Sequence, residues 1–133
     1  MQNSSEARTR SAIDDRPKLA GIRRLVLAFV NSWKGFAGAF RSEAAFRQEV
    51  ALAIVLIPLG VWFGKTALEK ALLVGAMILV LIVELLNTGI ETVVDRIGLE
   101  RHELSGLAKD VGSTAVLLSF VLLGVIWAAV LFG

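Results

Sequence analysis

The chain has no cysteine and no tyrosine, one histidine and two prolines in 133 residues. Without cysteine there is no disulfide framework, no thiolate zinc site and no cysteine nucleophile. A lone His102 excludes a multi-histidine metal site within one chain. Charge is scarce too: 20% of residues are charged, the formal net charge is +2, and no charged residue follows Asp110. So small an excess gives no ground for nucleic-acid binding. The first twenty or so residues are polar and mixed in sign, without the apolar core of a signal peptide. What remains is apolar. Hydrophobic residues make up 56% of the chain, against about 45–50% in soluble domains, and mean hydropathy is +0.71. Too little polar surface is left to cover a soluble body of this size. The sequence describes a small integral membrane protein of the all-α class.

Residues 1–24 read as a flexible polar tail and residues 25–133 as one membrane domain. The stretch Leu25–Phe40 is apolar but interrupted by Asn31, Ser32 and Lys34, with Arg23, Arg24 and Arg41 at its ends. That pattern suits an amphipathic surface helix over about 25–41. The apolar run Val50–Gly64 is too short to cross a bilayer alone. Extended back through Ala44, Ala45 and Phe46 it becomes a span over about 44–64, bent at Pro58. A second span, about 71–94, starts as ALLVGAMILVLIV and continues into ELLNTGIETVVD without a turn signal. The uncharged stretch 111–132 is the third. Twelve of the fourteen Lys/Arg lie before Val50 or between Asp95 and Asp110. The positive-inside rule therefore predicts a cytoplasmic N-terminus and a cytoplasmic 95–110 loop, with the C-terminus on the opposite side. Trp33, Trp62 and Trp127 read as interfacial anchors.

Glu84, Asn87, Glu91 and Asp95 lie at i, i+3, i+7 and i+11. At about 100° per residue they form one polar stripe on one helix. Glu84 falls inside the apolar layer, where an acid costs at least ~2.5 kcal/mol. The bland explanation is a polar helix–helix contact, or a helix extension that keeps its acids wet. Four polar groups on one stripe favour a functional site over that. RIGLERHELSGLAKDVGS (Arg96–Ser113) follows, with Gly98 and Gly106 placed for turns and Lys109 and Asp110 at the mouth of the last span. Carboxylates facing a lysine suit a divalent cation that carries a polyphosphate. The bland alternative is a solvated loop with interfacial anchors. Gly60, Gly64, Lys65 and Thr66 imitate a phosphate-binding loop, but the glycines are one residue too close together. Their spacing suits close helix packing instead.

The segments SWKG (Ser32–Gly35), EAAFRQE (Glu43–Glu49), VELLNTGIETVVDRIG (Val83–Gly98) and HELSGLAKDVGS (His102–Ser113) closely resemble the bacterial diacylglycerol kinases. These are small trimeric enzymes of the inner membrane. The resemblance implies Mg2+- and ATP-dependent phosphorylation of diacylglycerol to phosphatidic acid, by three spans and a surface helix per subunit. By the same resemblance Glu84 stands where the catalytic base stands, and Glu43 and Glu91 match the metal-coordinating acids. Arg24, Glu100, His102, Lys109 and Asp110, with the two metal acids, match nucleotide contacts. Asn87 and Ser113 match polar elements around the lipid hydroxyl, while Ser32, Trp33, Phe46, Arg47 and Glu49 match the lipid-binding surface. Asn31 departs from the family, which often has an aromatic there, and the N-terminal tail is longer than usual. The rival readings are undecaprenol kinase, of the same superfamily, a small oligomeric ion or proton channel lined by the acidic stripe, and an inactive membrane scaffold.

Overall fold

The computed structural model describes residues 17–133, and all of the regular structure among them is helical. Four helices follow one another: α1 (Pro17–Ser42), α2 (Ala44–Phe63), α3 (Ala67–Ile97) and α4 (Glu103–Phe132). The chain divides into two compact units, Met1–Ala37 and Gly38–Gly133. Of the expected polar tail, residues 1–16 lie outside the described residues, while Pro17–Arg24 are the first turns of α1. Within the first unit Ile22, Leu25, Val26, Phe29 and Trp33 are exposed, and Trp33 stacks on Phe36 with ring centroids 6.1 Å apart.

In the second unit α3 is the central element, packed against α2 on one side and α4 on the other. Its core is small: Ala53, Ala76, Met77, Val80 and Leu123, flanked by Leu56, Ile57, Phe120 and Trp127. α2, α3 and α4 are each long and apolar enough to cross a membrane. Only 11% of the most apolar window of α4 is buried within the chain, so most of its apolar side chains need a non-aqueous medium. The expected three-span, all-α architecture is borne out.

The helix ends differ from expectation. The predicted 95–110 loop shrinks to five residues, Gly98–His102, because α3 runs on to Ile97 and α4 begins at Glu103. Both helices, of 31 and 30 residues, are about 45 Å long against a hydrocarbon layer of ~30 Å, so charged turns stand beyond it at no solvation cost. Gly106 consequently lies inside α4, while Gly98 ends α3 as predicted. His102 caps α4, its Nδ1 accepting from the Leu104 N–H at 3.2 Å. The other connection is set by a capping box, in which Thr66 Oγ1 accepts from the Glu69 N–H at 3.1 Å while Glu69 reaches back. Gly60 and Gly64 do serve close packing. A Cβ at Gly60 would stand 3.0 Å from the Leu73 Cβ, and one at Gly64 would stand 2.8 Å from the Lys70 nitrogen. Trp62 is exposed beside Phe63, but Trp127 packs on the core with its Nε1 buried and without a hydrogen-bond partner, which is not an anchor's position.

Candidate active site

The stripe on α3 is divided between two cavities. The deeper one, about 290 Å³, is lined by Glu84, Asn87 and Glu91 of α3, by Glu43 and Glu49, and by Ser113 of α4. Glu43 is the single residue between α1 and α2; its backbone is extended (φ −107°, ψ 118°) and its side chain caps nothing. Its carboxylate therefore stays available to the cavity. Glu49 and Glu84 are 6% and 5% exposed, so two acids are enclosed side by side in a helical bundle that offers them no basic partner in that lining. One oxygen of Glu49 has no hydrogen-bond donor, and neither has Asn87 Oδ1. Asn87 is engaged through its other end, Nδ2 donating to Glu91 Oε1 at 3.3 Å, the i,i+4 contact expected of neighbours on one helix face.

The second cavity, about 640 Å³, surrounds the α3–α4 connection and is lined among others by Asp95, Glu100, His102, Ser105 and Lys109. Lys109 Nζ sits 2.6 Å from Asp95 Oδ1, bridging the end of α3 to the second turn of α4. With Nδ1 of His102 committed as a cap acceptor, its ring proton is on Nε2, leaving an N–H donor at this cavity.

The predicted site residues thus fall into groups. Glu43, Glu49, Glu84, Asn87, Glu91 and Ser113 meet in the deeper cavity, and Glu100, His102 and Lys109 in the second. Asp110 lines neither; its carbonyl accepts from Thr114 Oγ1 at 2.7 Å. Arg24, Ser32 and Trp33 belong to the first unit and are exposed. Phe46 is completely buried. Arg47 closes the end of α1, its Nη1 donating to the carbonyls of Phe40 and Arg41, each at 3.2 Å. Arg47→Gln is expected to lower stability in detergent by about 1–2 kcal/mol, with Arg47→Lys recovering part of it. The measurement is denaturation followed by circular dichroism, and equal stability of all three proteins would contradict the assignment.

Sequence reasoning missed two contributors. Asp95 was legible in the stripe, but its partner on another helix was not. Gly112 is buried, and a Cβ there would overlap Asn87 Oδ1, so this glycine lets α4 approach the stripe. Its only signal was a small residue beside Ser113, and α4 carries others, Gly106 and Gly124 among them, that make no such contact.

Residues 30–131 match the profile of the prokaryotic diacylglycerol kinase family. The chain belongs to this family. A diacylglycerol kinase of Pseudomonas aeruginosa is 48% identical over 113 residues, covering 85% of this chain and 92% of its own length. One of Haemophilus influenzae is 46% identical over 115 residues, with 86% and 98% covered. One of Escherichia coli K12 is 45% identical over 111 residues, with 84% and 91% covered. Membership makes the chain a kinase of lipid metabolism with a nucleotide as one substrate, and its three apolar helices make it a multi-pass membrane protein. The expectation raised by the VELLNTGIETVVDRIG and HELSGLAKDVGS segments is borne out at the level of family and enzyme class.

Proposed function

We propose that this chain transfers the γ-phosphate of ATP to the hydroxyl of diacylglycerol, giving phosphatidic acid and ADP. The observation that carries this reading is the cavity where Glu43, Glu49, Glu84 and Glu91 meet Asn87 and Ser113 in a chain of this family. Glu84 lies thirteen residues before the end of α3 at Ile97, about 20 Å from the α3–α4 connection, deep enough to meet a lipid hydroxyl and not a water-borne one. Its carboxylate takes the hydroxyl proton as the lipid oxygen bonds to the γ-phosphorus. The bond from that phosphorus to the β–γ bridging oxygen then breaks, and ADP leaves. Asn87, through the second N–H of its Nδ2, and Ser113, through its O–H, orient the hydroxyl oxygen, whose one proton goes to Glu84.

Glu43 and Glu91 fit Mg2+, which nucleotide enzymes hold through one or two carboxylates plus substrate phosphates. Both supply hard oxygen donors to one cavity, and Asn87 steadies the Glu91 carboxylate. When bound, the ion neutralises phosphate charge. Lys109, His102 and Glu100 face the nucleotide from the second cavity; for Asp110 and Arg24 the role of nucleotide contact rests on the resemblance alone. Exposed Ser32 and Trp33 on α1 are lipid contacts on the resemblance alone, whereas Phe46 is wholly enclosed and Arg47 is committed to the end of α1, so neither is left free for lipid. The site faces the cytoplasm across the inner membrane, with the N-terminus on the same side and the C-terminus opposite. Three copies assemble, so that a neighbour shields the polar stripe from lipid.

The test is turnover in mixed micelles with Mg-ATP and diacylglycerol or undecaprenol, beside ion flux in vesicles. Magnesium-dependent phosphorylation with diacylglycerol preferred is the expected result. Preference for undecaprenol would move the chain to the sister activity, and flux without phosphorylation would make it a channel.

A further inference from the structure

Asp95 ends the stripe without reaching the deeper cavity. It lies on the last turns of α3, and Lys109 on the second turn of α4 comes to meet it. Lysine carries its ammonium on a four-carbon stem, and at a membrane edge an unrestrained lysine turns toward headgroups and water. The ion pair at 2.6 Å removes that freedom. An ammonium has three protons; the pair uses one and leaves two for other acceptors. The two side chains are 38% and 48% exposed, so a ligand reaches the ammonium without breaking the pair. Both groups line the cavity that also holds Glu100 and His102.

We infer that Asp95 is a positioning residue that holds the Lys109 ammonium over the second cavity, aimed at the phosphates of a nucleoside triphosphate. This rests on the reading of Lys109 as a nucleotide contact. Asp95 touches no substrate and acts only through Lys109. Its loss therefore weakens nucleotide binding and leaves lipid binding alone. A helix staple would behave differently, because a shifted α4 would disturb Ser113 and the lipid site as well.

The experiment compares the full-length enzyme with Asp95→Asn, Asp95→Glu, Lys109→Met and the Asp95→Asn/Lys109→Met double variant in mixed micelles. ATP and diacylglycerol are varied in turn, and binding of a non-hydrolysable ATP analogue is measured without turnover. Asp95→Asn is expected to raise the KM for ATP and weaken the analogue by about 3–10-fold, as a half-exposed pair allows. The KM for diacylglycerol stays within about twofold on the same reasoning. Asp95→Glu recovers part of the loss, high salt narrows the difference, and the double variant equals Lys109→Met alone. Unchanged ATP KM and analogue affinity in Asp95→Asn, beside a weakened Lys109→Met, would overturn the positioning role alone. Effects that multiply in the double variant, or an equal rise in both KM values, would overturn it too. Unchanged nucleotide affinity in Lys109→Met itself would remove the nucleotide role of Lys109, and the role of Asp95 with it.

Discussion

Glu84→Gln is expected to cut turnover by about 10²–10⁴-fold, the contribution of a positioned general base, while nucleotide-analogue binding stays near that of the unaltered enzyme. Glu91→Gln is expected to fail differently. Seven residues separate the two acids, about 10 Å along α3, so two short carboxylates on that face do not clamp one ion together. Glu91 is nearer the α3–α4 connection and accepts from Asn87, whereas Glu84 is deeper and almost fully enclosed. Glu91→Gln removes a negative oxygen donor from a hard cation, and excess magnesium should push occupancy back and restore part of the rate. Glu84→Gln removes the proton acceptor, and no magnesium concentration replaces that. The measurement is turnover against magnesium for both variants. Equal rescue would refute the division of labour, as would loss of analogue binding in Glu84→Gln.

The second large effect is expected at a residue without chemistry. A Cβ on Gly112 would occupy the space of Asn87 Oδ1, and Asn87 is held to Glu91 at 3.3 Å. Gly112→Ala must push the amide aside or lift α4 from α3. Overpacking of this kind costs about 1–3 kcal/mol, and a displacement of ~1 Å at a reacting site costs up to about 100-fold in rate. Gly124→Ala serves as the control, because a Cβ there meets nothing within 4 Å of its own chain. Adding Asn87→Ala to Gly112→Ala should restore stability by removing the overlap, without restoring activity. Denaturation midpoints and turnover of the four proteins check this. A Gly112→Ala enzyme with unaltered stability and rate would show that the contact carries no constraint.

Three spans were legible in the sequence because apolar length is a local property, and α2, α3 and α4 follow it closely. The stripe was legible for the same reason: Glu84, Asn87 and Glu91 need only the helical period to share a face. The helix ends were less so. Charged residues from Arg96 to Asp110 read as a loop, whereas helices longer than the bilayer is thick carry their charges into water. The Thr66–Glu69 capping box was written in the sequence and passed over. Contacts between helices were the real blind spot. Lys109 meeting Asp95, and Gly112 meeting Asn87, depend on how α4 crosses α3, and no periodicity within either helix specifies that crossing. The Arg47 guanidinium on the carbonyls of Phe40 and Arg41 is hidden for a similar reason: it turns on the bend at Glu43.

The central claim is that Glu84, within the carboxylate cavity, takes the proton from a lipid hydroxyl as phosphate is transferred. Single-turnover transfer of a labelled γ-phosphate from saturating Mg-ATP to diacylglycerol tests it most directly, with Glu84→Gln run beside the unaltered enzyme at equal nucleotide occupancy. The account predicts rapid appearance of labelled phosphatidic acid in the unaltered enzyme and a chemical step slowed by about 10²-fold or more in the variant. Equal single-turnover rates in the two proteins would contradict it.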